Sequence, residues 1–546
     1  MKTINIKSLF AVAIITIVIV SCKQDVITLQ QPTTTTPVTP SKGTADFTKF
    51  IAIGNSLTAG YQAGALFTEG QNNSFPLILS KQFSVAQGST LTFNQPDINS
   101  VNGYNSTVSG LVLGRYILYA ADGNPNDAVP TPAGYPGVPA PYNTAGPAFT
   151  DPAFYNITFD KTKLNNFGAP GILLGQCLIG ATGGPSTGNP YFNPYYARFA
   201  SNPGTSTIIG DAIAAQPTFF VFDLGNNDVL GYATTGGNGT VPLTTLANFQ
   251  TYYSNAIGAL LNPATNPNNP KGVVTTIPNV TTIPYFYTVT WNAIPLDATT
   301  AAEVNTGFAG YNQILGAIAA NAALLTNFGL SAADLNSRMV NFTASKNNPI
   351  LIADKTLTDL TTVFGYLASI GPANGGITAA QQAALAPYTQ VRQATSNDLI
   401  TLSAGAILGT TVGGNPLLVN GVSVPLGDTY VLLPSETTAI LTATAGFNSI
   451  INSVAAQYSS QIAVADINSV FTSFVTNQYI VSDGVMITPS FTPPFGAFSE
   501  DGVHPNSRGY AYLANVIIDA INAKFTAAVP HASLAAYTGV GLPLVP

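Results

Sequence analysis

The chain runs to 546 residues, 46% of them hydrophobic and only 8% charged, which is ample for a buried core and excludes a disordered polymer. A formal charge of −7, with 17 Lys and Arg and no basic run beyond the first residues, argues against nucleic-acid binding. Two cysteines and two histidines are too few to assemble a Cys/His metal cluster, and no cofactor is expected.

Lys2 and Lys7 followed by the apolar stretch Leu9 to Val20 read as an export segment, residues 1–21, too short to span a bilayer comfortably. It ends in Ile19-Val20-Ser21-Cys22, which resembles the bacterial lipoprotein box. That resemblance implies cleavage before Cys22, lipidation of Cys22 and a membrane-anchored protein of the bacterial cell envelope. The alternative is an ordinary signal peptide with an incidental cysteine. With Cys22 acylated, Cys177 is the one remaining thiol, so no intrachain disulfide is expected.

Residues 22–45, rich in Thr and Pro, suit an extended tether, and the folded domain is expected over 46–526 with a tail at 527–546. Phe50-Ile51-Ala52-Ile53 is an apolar run of strand length that passes into Gly54-Asn55-Ser56-Leu57, the hand-over from a buried parallel strand to a helix. Phe75-Pro76-Leu77-Ile78-Leu79 opens a helix, with Pro in the first turn. Residues about 85–165 carry Pro, Gly, Asn and Tyr without period and read as an insertion, as do residues 181–205. Between them, Asn165 to Gly171 reads as a turn leading into Ile172-Leu173-Leu174.

Ile208 to Gln216 reads as a helix and Thr218 to Leu224 as a buried strand ending in Gly225-Asn226-Asn227-Asp228. Helical stripes recur at Leu246, Phe249, Tyr253, Ile257 and Leu260, and again from Val304 through Phe308, Tyr311, Leu315 and Ile318 to Leu325; both are expected to pack on a sheet. Gly272 to Ile277 is a further strand, and residues 329–432 loosen into an insertion large enough for a subdomain. Helix, strand and a last helix return at Ile440–Tyr458, Ile462–Asp466 and around Leu513, Ile517 and Ile521. This alternation favours an α/β fold on a parallel sheet.

Polar clusters stand at the ends of these elements. Acyl transfer by serine needs a nucleophile, an imidazole, a carboxylate to orient it and donors for the oxyanion. His504 lies three residues after Asp501 and directly before a helix, whereas His531 sits in the tail. Gly54-Asn55-Ser56-Leu57, Asn166 to Gly171, Gly225-Asn226-Asn227-Asp228 and Asp501-Gly502-Val503-His504 together resemble, in order, the four blocks of the GDSL or SGNH hydrolase superfamily.

The resemblance implies Ser56 as nucleophile, His504 as general base and acid, and Asp501 as the residue that orients His504. It implies an oxyanion hole of the Ser56 and Gly171 backbone N–H groups and the Asn227 side-chain amide, with Gly168 as the fallback glycine. The fold it implies, a three-layer α/β/α sandwich on a mainly parallel sheet, agrees with the alternation above. Asn55 departs from the aspartate usual before the serine, and the spacing between blocks is long. Gly184-Pro185-Ser186-Thr187-Gly188 matches a nucleophile-elbow pattern but has neither the preceding strand nor the following helix that motif requires.

The expected function is an exported, lipid-anchored serine esterase acting on acyl or acetyl esters of lipids or carbohydrates. The rival is a non-catalytic surface lipoprotein that binds glycan or a partner on a decayed hydrolase fold. Partners are thus an ester substrate and, through Cys22, a membrane.

Overall fold

The computed structural model describes residues 39–546, so the export segment, Cys22 and most of the tether lie outside the described residues. The body is mixed α/β, organised on five strands: β1 Phe50–Gly54, β2 Asn166–Gly168, β3 Phe219–Asp223, β4 Lys271–Thr275 and β5 Ile462–Ala465. They lie in the order β5-β4-β3-β1-β2, and every pair is parallel. All five residues of β1 and of β3 are buried, as a parallel sheet covered on both faces requires.

Alternation along the strands divides the core in two. Ile51, Ile53, Phe220, Phe222 and Val274 face one apolar cluster, built with helices α3 Ile208–Ala214, α5 Leu246–Leu260 and α7 Pro434–Gln457. Phe249 of α5 and Phe447 of α7 stack there with centroids 3.9 Å apart. Phe50, Ala52, Phe219, Val221 and Val273 face the other cluster, completed by α2 Phe75–Gln87 and α9 Ser507–Phe525.

Three expectations change. Asn166–Gly168 is a strand rather than a turn, pairing Ala52 with Asn166 and Gly54 with Gly168. Three residues are too few to show alternation, and the Gly and Pro that follow mask them. The stripe Phe308, Tyr311, Leu315 and Ile318 lies on α6 Ala298–Ala319, which ends before Leu325, and it does not pack on the sheet. It joins a third core that runs from Ile294 to Leu433, so the inserted subdomain begins well before residue 329. Periodicity reports that a helix buries one face, not against what.

The packed body also reaches further at both ends. Ser41 bridges Ala528, the Thr44 N–H donates to the Phe525 carbonyl at 2.8 Å, and Ala45 is buried, so residues 41–45 are part of the fold. The tail adds Val529, Ala532 and Leu534 to the core, and the Leu544 N–H donates to the Leu118 carbonyl at 2.9 Å. Arg198 ties the first two insertions together by donating to the carbonyls of Pro96, Asp97 and Phe154.

Candidate active site

The carboxyl ends of β1, β2 and β3 are in register at Gly54, Gly168 and Asp223, and in a parallel sheet this is the edge where sites form. Gly54 has to be glycine: a Cβ there would come within 1.9 Å of Thr58 Oγ1 and 2.7 Å of the Asp223 carbonyl oxygen. The chain turns at once into the short helix α1 Ser56–Ala59, capped by Asn55, whose side-chain oxygen accepts from the Leu57 N–H at 2.9 Å. Asn55 thereby serves without the charge of an aspartate. Ser56 stands on the first turn, 6% exposed.

At the far end of the chain, His504 precedes α9, whose N-cap Asn506 accepts from the Gly509 N–H and donates to the carbonyls of Gly496 and Phe498. The loop before it is thus fixed from both sides. His504 Nε2 lies 2.9 Å from Ser56 Oγ across 448 residues of sequence, and His504 Nδ1 lies 2.8 Å from Asp501 Oδ2. A carboxylate only accepts, so the ring proton sits on Nδ1 and Nε2 is free to accept from the serine hydroxyl.

Asp501 is held by more than the ring. Its Oδ1 accepts the N–H groups of Val503 at 2.8 Å and His504 at 2.9 Å, and its Oδ2 accepts the Gly64 N–H at 2.8 Å. Burial pushes this carboxyl up, but the His504 ring and the surrounding N–H donors more than offset it and hold it below its ordinary value. Gly502, between them, takes φ +70° and donates its N–H to the Ser499 carbonyl, while its own carbonyl accepts the Tyr285 N–H.

The expected oxyanion donors are placed as follows. Among the described residues, neither the Ser56 nor the Gly171 N–H makes a hydrogen bond. Gly171 is exposed at φ +76°, with open space where a Cβ would stand. The Gly168 N–H is already given to Asn166 Oδ1 at 2.9 Å, which removes the fallback. Asn227 opens the helix α4 Asn227–Thr234 after β3; its Nδ2 donates one hydrogen to the Ile172 carbonyl at 2.9 Å and keeps a second. That bond sets Asn227 against the residue next to Gly171. Asp228, buried, braces the same segment by accepting the Leu174 N–H at 2.9 Å and the Thr244 hydroxyl at 2.6 Å.

Sequence reasoning missed several contributors. Ser499 Oγ accepts the Ala63 N–H at 2.8 Å and lies 3.1 Å from Asp501 Oδ1. The Tyr61 ring packs 4.8 Å from the His504 ring. A helix absent from the expectations, α8 Ile467–Asn477, forms with α9 an apolar cleft of about 130 Å³. Leu57 and Val503, the chain neighbours of Ser56 and His504, line it with Phe471, Phe498 and Leu513. A proximity signal existed only for Ser499, two residues before Asp501.

The other candidates stand apart from this arrangement. His531 pairs with Asp519 at 2.8 Å on the outer side of α9. Ser186 lies exposed in a turn. Cys177 is buried in the core as a free thiol, and burial raises its pKa far above the ordinary value.

Comparison of the chain with known protein families, with curated proteins and with solved structures gives no match.

Proposed function

We propose that the protein is a serine esterase of the GDSL/SGNH type, built on a three-layer, flavodoxin-like α/β/α sandwich, exported and anchored to a bacterial membrane through Cys22. The observation that carries the reading is the unbroken hydrogen-bond chain Ser56–His504–Asp501, assembled from opposite ends of the sequence. The strand order, with β1 between β2 and β3, supports the fold, since this is the order of doubly wound sheets with a switch point beside the first strand.

In this mechanism Ser56 Oγ attacks the ester carbonyl carbon as its proton passes to His504 Nε2. Asp501 stabilises the imidazolium through Nδ1 without taking its proton. The oxyanion accepts from the Ser56 and Gly171 N–H groups and from Asn227 Nδ2. These donors are held by the fold before substrate arrives, so little reorganisation opposes the developing charge. His504 then protonates the leaving alcohol, and water repeats the sequence to release the acid. The apolar cleft beside Leu57 and Val503 suits the alkyl part of an acyl ester.

Ser56→Ala should abolish hydrolysis of p-nitrophenyl acetate and labelling by a fluorophosphonate probe. Unchanged hydrolysis in the variant, or folded wild-type protein that neither hydrolyses nor labels, overturns the proposal and favours the binding protein.

A further inference from the structure

A second cavity, about 370 Å³, is bordered by the segment that follows the nucleophile. Gln62 and Ala63 form one wall, the Tyr116–Leu118 stretch of the first insertion another, and residues 538–544 of the tail close it. None of the residues assigned above to nucleophile, base or oxyanion hole lines it.

Arg115 is its notable group. The guanidinium carbon sits 4.1 Å from the Phe67 ring centroid and 5.1 Å from that of Tyr142. The side chain is only 13% exposed, yet the one carboxylate it contacts among the described residues is Glu69, at 3.4 Å and 62% exposed. Its Nε is buried with no partner among the described residues. A cation held this deep, with its donor edge largely unspent, is costly unless an anion completes it. The two rings lie over the guanidinium, Nε is enclosed and Nη1 is given to Glu69, so Nη2, without a partner among the described residues, is the donor left for a carboxylate oxygen.

The neighbours decide what kind of anion fits. Glu69 and Glu500 both line the cavity, and Glu500 adjoins Asp501. Burial, with the Asp501 charge beside it, raises the Glu500 carboxyl to about 7. A dianion such as phosphate would be repelled by this acidic surround, whereas a monoanion can share the Glu500 proton. Ile117, Leu118, Val540 and Leu544 supply an apolar wall for the rest of the molecule.

We propose that this cavity binds a small monocarboxylate with an apolar body, its carboxylate paired with the Arg115 guanidinium. The inference does not depend on Ser56 being a nucleophile.

The test is calorimetric titration of the full chain with hexanoate, against hexanamide and inorganic phosphate as controls. Saturable one-site binding of hexanoate is expected, with hexanamide weaker by about tenfold or more, the scale of one charge-assisted hydrogen bond. Arg115→Gln should weaken hexanoate to the same degree. Because Arg115 also packs against two rings, Val540→Trp provides a second variant that fills the cavity and leaves the guanidinium intact; it should abolish binding. Absence of saturable binding overturns the proposal, as do hexanamide binding as tightly as hexanoate and phosphate binding more tightly. Hexanoate binding that survives in folded Val540→Trp places the ligand elsewhere and equally overturns it.

Discussion

Asp501→Asn tests the geometry most sharply, because the two oxygens of Asp501 have different duties. Oδ1 faces the Val503 and His504 N–H groups, so an asparagine must keep its carbonyl oxygen there. Its NH2 then occupies the place of Oδ2, opposite the Gly64 N–H and His504 Nδ1. Two donors face each other at Gly64, costing about 1–3 kcal/mol of stability for an unsatisfied buried group. At His504 the amide can only donate, so the ring proton moves to Nε2 and points at the Ser56 hydroxyl it should accept from. The geometry survives and the tautomer is wrong. In a Ser-His-Asp arrangement this costs about 10⁴ in turnover, or about 5.5 kcal/mol of barrier at about 1.4 per tenfold. Steady-state kinetics with p-nitrophenyl acetate, with circular dichroism to verify folding, measures it. A variant within tenfold of wild type would refute the assignment of Asp501.

Asn227→Ala should lower kcat by about 10²–10³ while KM changes little, since the amide acts on the oxyanion rather than on the ground state; an equal loss confined to KM would contradict that role. Asp228 gives a pH-dependent prediction. Burial raises its carboxyl from 3.8 to about 6, against the opposing bonds from Thr244 and the Leu174 N–H. A folded-state pKa above the unfolded one means stability that is fully present below about pH 4 and is lost as pH rises through 6. Asp228→Asn removes this loss, so relative to wild type the variant should gain about 2–3 kcal/mol between pH 4 and 7. Urea denaturation across that range measures it, and a difference independent of pH would refute the account.

The candidate site was legible in the sequence to the extent that its parts are local. Ser56 follows an apolar run by a glycine turn, and Asp501 and His504 share one loop, so residue type and spacing sufficed to single them out. The glycine was not decided locally. Gly168 and Gly171 lie in one segment, and only the bond from the Gly168 N–H to Asn166 Oδ1 separates them. Tyr61, Ser499 and Gly64 escaped notice because their roles are contacts with the Asp501–His504 loop, more than 430 residues away in two of the three cases.

By itself, the sequence determined the apolar stripes of α5, α6 and α7, where the chain turns at Gly54, and which side chains have the chemistry of a nucleophile, base and carboxylate. Those properties arise within a dozen residues, from hydrophobic period, turn geometry and functional group. Only the tertiary structure decided that α6 belongs to a separate core, that Asn166–Gly168 is a strand, and that residues 41–45 and the tail are packed. It also decided that Arg115 meets Phe67, Tyr142 and the Glu500 cavity, and that His504 meets Ser56. The physical reason is the same in each case: a buried face or a free donor specifies the kind of partner it needs, and the order of strands in the sheet specifies which partner arrives.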